Sequence, residues 1–154
     1  MCQEFRDELR SGTKTIAELC AMYHRGLDFC VEHKFPSLEF MKEHLDAEEI
    51  KRHGIYITNG ISERQTNVVV LGDACLSVRV PNYCTCDITA TDNAKVSVRL
   101  GIGAFCYVSL HDHASVLVAE KADEAKLNAS VFNPGCSIEN QDLFNNIHIK
   151  YEEK

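Results

Sequence analysis

The chain has 154 residues, 45% of them hydrophobic, and a net charge of −7. That apolar content excludes wholesale disorder, and the length suits one ordinary domain or two small pieces sharing a core. The charge is even, −3 over residues 1–60 and −4 over 61–154, so neither half offers the basic surface that nucleic-acid binding needs.

No stretch approaches the ~18–20 apolar residues of a membrane span, so no membrane partner is expected. The opening Met1-Cys2-Gln3-Glu4-Phe5-Arg6-Asp7-Glu8 is acidic and lacks the apolar core of a secretory signal. The expectation is a cytoplasmic protein whose eight cysteines are reduced and serve as small apolar core residues.

Residues 1–54 read as a helical segment. Thr15-Ile16-Ala17-Glu18 has the form of a capping box, in which the Thr hydroxyl and the Glu carboxylate each satisfy an orphan amide. Ile16, Leu19, Cys20, Tyr23, Leu27, Cys30 and Val31 then recur at helical spacing, which predicts one helix over 16–33, broken by Pro36. A second helix is expected from Ser37 and a short third from Asp46, with His53-Gly54 as its stop. Thr15–Cys20 is similar to the opening of a helix-turn-helix module, but no basic recognition helix follows, so the structural reading prevails.

From Ile55 the signals become β. Between Leu71 and Val131 a ten-residue period appears. The turn-like triplets are Leu71-Gly72-Asp73, Pro81-Asn82-Tyr83, Thr91-Asp92-Asn93, Gly101-Ile102-Gly103 and His111-Asp112-His113. A small residue follows each: Ala74, Cys84, Ala94, Ala104, Ala114. Counting from Leu71, positions 4, 6, 8 and 10 are apolar and alternate with mostly polar ones, the signature of a strand with one buried face. Glu120 is an exception at position 10, and a sixth copy at 125–131 is shifted by one residue. Cys136, Ile138, Ile147 and Ile149 suggest weak terminal strands.

Two folds fit. One is an α+β protein whose N-terminal helices cap a short β-solenoid with two strands, hence twenty residues, per coil. The other is an antiparallel β-meander covered by the helices. Twenty-residue spacing places like on like, as in Leu76/Val96/Val116 and Cys86/Cys106, which favours the solenoid. It also stacks Arg79 on Arg99, which does not. Residues 1–54 and 55–154 are expected to pack as one unit. Asp92–Val98, Asp-Asn-Ala-Lys-Val-Ser-Val, resembles the tandem Asn-Ala-x-Val repeats of bacterial and phage β-helical proteins. The resemblance covers about 60 residues and implies a solenoid fold and a phage or other mobile-element origin.

Several residues invite a chemical role. Cys84-x-Cys86 with His111-x-His113 has metal-binding residue types, but the spacing matches no zinc finger and the cysteines fall in core phase, so no metal centre is assigned. In a solenoid, Asp73, Asp92, His111, Asp112 and His113 would share one edge, a polar ridge able to bind a cation or to titrate. The bland reading is that turns require such residues. No nucleophile elbow, phosphate loop or His-Glu-x-x-His is present, and no cofactor is expected. Phe105 and Tyr107 at outward positions 5 and 7, and Leu117 at outward position 7, are candidate contact residues for another surface. The function expected is therefore a non-catalytic structural or protein-interaction module, binding a protein partner or itself. The alternatives are a small-ligand or cation-binding protein using the ridge, and an enzyme with a site between helices and solenoid.

Overall fold

A computed structural model describes residues 3–152; Met1 and Cys2, from which the reading of the N-terminus starts, lie outside the described residues. The chain divides into two compact units, Met1–His53 and Gly54–Lys154.

The first unit contains five helices: α1 Gln3–Arg10, α2 Ile16–Arg25, α3 Leu27–His33, α4 Leu38–His44 and α5 Ala47–Lys51. The Thr15–Glu18 capping box forms with both of its bonds. Ser37 accepts from the Phe40 amide to start α4, and Asp46 caps α5. The single helix expected over 16–33 is instead two, divided at Gly26. Glycine is a weak helix former, and here it has a packing role too. A Cβ at Gly26 would lie 3.1 Å from the Phe5 ring, so the missing methyl makes room for an aromatic of α1. No helix of the described residues is long and apolar enough to cross a membrane.

The second unit is a β-solenoid of about five turns, built on two parallel sheets. Its strands are β1 Ile55–Tyr56, β2 Gly60–Ser62, β3 Asn67–Val70, β4 Cys75–Val80, β5 Thr85–Ala90, β6 Lys95–Leu100, β7 Phe105–Leu110, β8 Ser115–Lys121, β9 Lys126–Val131, β10 Ser137–Glu139 and β11 Ile147–Tyr151. One sheet has the order β1-β3-β5-β7-β9-β11, and the other β10-β8-β6-β4-β2. Every pairing is parallel, which overturns the antiparallel meander. The inward residues explain the choice. Val78 pairs in register with Val98 and Val98 with Val118 in one sheet, while Cys86 pairs with Cys106 in the other, so like stacks on like at these positions. The core is common to both sheets and includes Leu76, Val96, Ile88, Val108, Leu110 and Leu127.

Two irregularities in the sequence pattern have structural causes. Register shifts between Val98 and Arg99, so that Val98 faces Val118 but Arg99 faces Glu120. This is a β-bulge, which adds one residue to β8. It sends Glu120 outward, puts Lys121 opposite Leu100, and sets the sixth copy one residue late. Lys121 is buried, and its ammonium bonds Ala122 O at 3.0 Å and Asn145 Oδ1 at 3.2 Å. Burial lowers its pKa, against the opposing pull of Asp123 and Glu124.

The corners are of two kinds. After β3, β5 and β7, positive φ falls on the second residue of the triplet, at Gly72, Asp92 and Asp112. After β4 and β6 it falls on the third, at Tyr83 and Gly103. At Gly103, φ is +66°, and an added Cβ would approach the Tyr83 ring to 2.6 Å. Gly103→Ala should therefore meet both backbone strain and a ring, and lose about 2 kcal/mol in a denaturant titration. The same substitution at Gly12, where φ is +63° with nothing within 4 Å, should cost less.

Candidate functional site

The alternation of a strand puts Phe105 and Tyr107 on the same outer face of β7, in the six-stranded sheet. Their ring centroids are 4.6 Å apart, tilted by 42°. Lys126, in register with Phe105 on β9, holds its ammonium 5.8 Å from the Phe105 ring centre, a cation–π arrangement. Phe105 is half-buried as a result, while Tyr107 is 47% exposed. Tyr107 lies in register between Asp87 on β5 and Asn128 on β9. Leu117 does not belong to this cluster. It lies on β8, in the five-stranded sheet, so the three candidate contact residues are divided between two faces.

The polar ridge forms, but as a ladder of turn bonds. The Asp92 carboxylate accepts from the Gly72 amide at 2.9 Å. The Asp112 carboxylate accepts from the Thr91 hydroxyl at 2.6 Å and the Asp92 amide at 3.1 Å, and Asn133 Oδ1 accepts from the Asp112 amide at 2.8 Å. Each side-chain oxygen thus satisfies a donor of the preceding coil's corner. The His111 ring stacks on Phe132, with centroids 4.4 Å apart and planes 9° apart. The His113 ring occupies the space that a Gly135 side chain would need. Asp73 is exposed. Among the described residues no three His, Cys, Asp or Glu side chains gather to hold a metal ion. The ladder accounts for Asp92 and Asp112 without a ligand. Asp112→Ala should then leave the Thr91 hydroxyl and the Asp92 amide short of an acceptor and cost about 1–3 kcal/mol by denaturant titration. Asp112→Asn, which keeps an oxygen there, should recover most of it.

The cysteines separate by burial. Cys86 and Cys106 are buried and in register, as expected of core. Cys84, expected in the core, is exposed. The cause is the corner beneath it. The chain goes from Ser62 to Asn67 in five steps, whereas the paired path from Val78 to Asp87 takes nine. The shorter corner leaves Cys84 uncovered on that side. Burial, with a smaller contribution from Asp87, pushes the Cys86 thiol up to about 12. Burial also raises Cys106, with the Cys86 thiol and Asp87 adding to it. Since the thiolate is the reactive form, Cys75 and Cys84 should label with a maleimide in the native protein, and Cys86 and Cys106 only after unfolding, as read by peptide mass spectrometry.

No family model matches the chain, and no curated protein and no solved structure is found to resemble it. The reading of function therefore rests on the surfaces themselves.

On the outer face of the five-stranded sheet the sequence pattern singled out Leu117 alone as a contact candidate. A shallow groove of about 720 Å³ crosses its strands, lined among others by Ile61, Ser77, Ser97, Lys95 and Leu117. Ser77 and Ser97 sit in register at its floor, with Ile61 and Leu117 on the strands to either side. A second signal was present in the sequence: Arg79 and Arg99, twenty residues apart and in register here, border this floor.

Proposed function

We propose that the protein is a non-catalytic interaction module, and that its first partner is a second copy of itself. The observation that carries this reading is the Phe105–Tyr107 pair. It sits on β7, an interior strand of the six-stranded sheet, with nearly half of Tyr107 exposed. Aromatic residues standing out from a flat, rigid β surface supply much contact area at little cost in side-chain entropy, and they dominate interface energetics. Asp87, in register with Tyr107, and Lys126, in register with Phe105, flank the pair and provide charges of both signs for a polar rim. In this reading each coil contributes two strands and two corners, and the capping role suggested for residues 1–54 is part of the proposal. The Asn-Ala-x-Val resemblance and the mobile-element origin it implies belong to it too.

Light scattering across a concentration series tests the reading. The expected result is a reversible oligomer whose dissociation constant rises at least about tenfold in Phe105→Ser/Tyr107→Ser, with Leu117→Ser unchanged because it lies on the other sheet. A strict monomer at every concentration overturns self-association.

A further inference from the structure

The outer face of the five-stranded sheet carries a second arrangement, independent of the aromatic pair. Arg79 on β4 and Arg99 on β6 are directly in register, which places neighbouring backbones about 4.8 Å apart. Both side chains are exposed. Among the described residues no ion pair engages either of them. The acid nearest in register is Glu120, opposite Arg99 at the bulge. Like charges directly across strands disfavour the sheet. A chain with 23 acidic and 16 basic residues has no compositional reason to stack two guanidiniums.

What lies beside them gives the pair a use. Two residues along the same strands and on the same face come Ser77 and Ser97, in register and half-buried; two further on come Cys75 and Lys95. The serine hydroxyls are thus bracketed by two guanidiniums on one side and an ammonium on the other. The groove runs over these serines, with Ile61 at one wall and Leu117 at the other. Among the described residues the only acid lining the groove is Glu139, beside Leu117 at the β10 edge.

We infer that this face binds a small ligand in which an oxyanion, phosphate or carboxylate, is attached to an apolar body. Arg79 and Arg99 hold the oxyanion, Lys95 adds attraction, and Ser77 and Ser97 donate hydroxyls. The body lies along the groove between Ile61 and Leu117. The spacing favours one shared oxyanion over an acidic peptide. Two guanidiniums one strand apart can each turn a donor fork onto the same anion, whereas same-side carboxylates of an extended peptide recur only every ~6.6–6.8 Å.

Calorimetric titration of the full chain tests this, with phenyl phosphate, benzoate and inorganic phosphate as probes and sodium chloride holding ionic strength constant. Saturable binding of phenyl phosphate or benzoate is expected, and the tighter of the two identifies the oxyanion. Inorganic phosphate should bind more weakly than phenyl phosphate because it leaves the groove empty. Arg79→Ala and Arg99→Ala should each weaken the better probe about tenfold or more, and Leu117→Ala should weaken phenyl phosphate but not inorganic phosphate. Arg79→Lys keeps the charge and loses the fork, so it should fall between wild type and Arg79→Ala. Thermal unfolding checks that the variants are folded; removing one of two like charges should not lower Tm. Two results overturn the inference: no probe saturating below about 10 mM, or a folded Arg79→Ala/Arg99→Ala variant that binds as the wild type does. Neither depends on the oligomeric state.

Discussion

Parallel pairing between strands two apart in the chain sets almost everything else in the solenoid. Each backbone ladder fixes a residue over its counterpart about 4.8 Å away, so side chains meet others of their own column rather than of their own strand. Some inward columns repeat one residue, as Val78, Val98 and Val118 do, while others alternate small and large, as Val70, Ala90, Leu110 and Val131 do. A corner column must reconcile positive φ with the chain above and below, and glycine, aspartate and a tyrosine backed by glycine do so. An outward column has no such constraint from the core. It shows instead what the surface is required to do.

Most of the solenoid was legible because burial alternates with period two and the coils repeat it. The parts that misled have a common origin. Cys84 has the right phase for the core, but its burial depends on the length of a corner elsewhere in the chain, which no local pattern reports. Glu120 and the late sixth copy stood as two separate exceptions to the period, although one inserted residue in β8 explains both. In the helical unit, periodicity predicted continuity through Gly26, and the competing influence was a tertiary contact with Phe5. The site was less legible than the fold. Outward phase marked Phe105, Tyr107 and Leu117 alike as candidates, and the strand order divides them between the two sheets.

The stacked arginines illustrate how an unfavourable local feature can be informative. On the sequence they weigh against the solenoid; in the structure they are adjacent all the same. The surrounding fold is stable enough to impose the contact, since core residues on the same two strands are fully buried. A repulsion of up to about 1 kcal/mol is small beside that burial. Surface residues that oppose folding are candidates for a role outside folding.

The two kinds of corner limit how such a protein can change length. A corner with positive φ at its second residue cannot exchange places with one that has it at the third, and the Asp92 and Asp112 carboxylates bond corners of the first kind only. One strand inserted or lost with its corner would bring unlike corners into contact and leave backbone donors without their acceptors. Two consecutive strands could be added or removed with like corners still in contact. A change of length that keeps these bonds therefore comes two strands at a time, one in each sheet, with the two outer faces lengthening together.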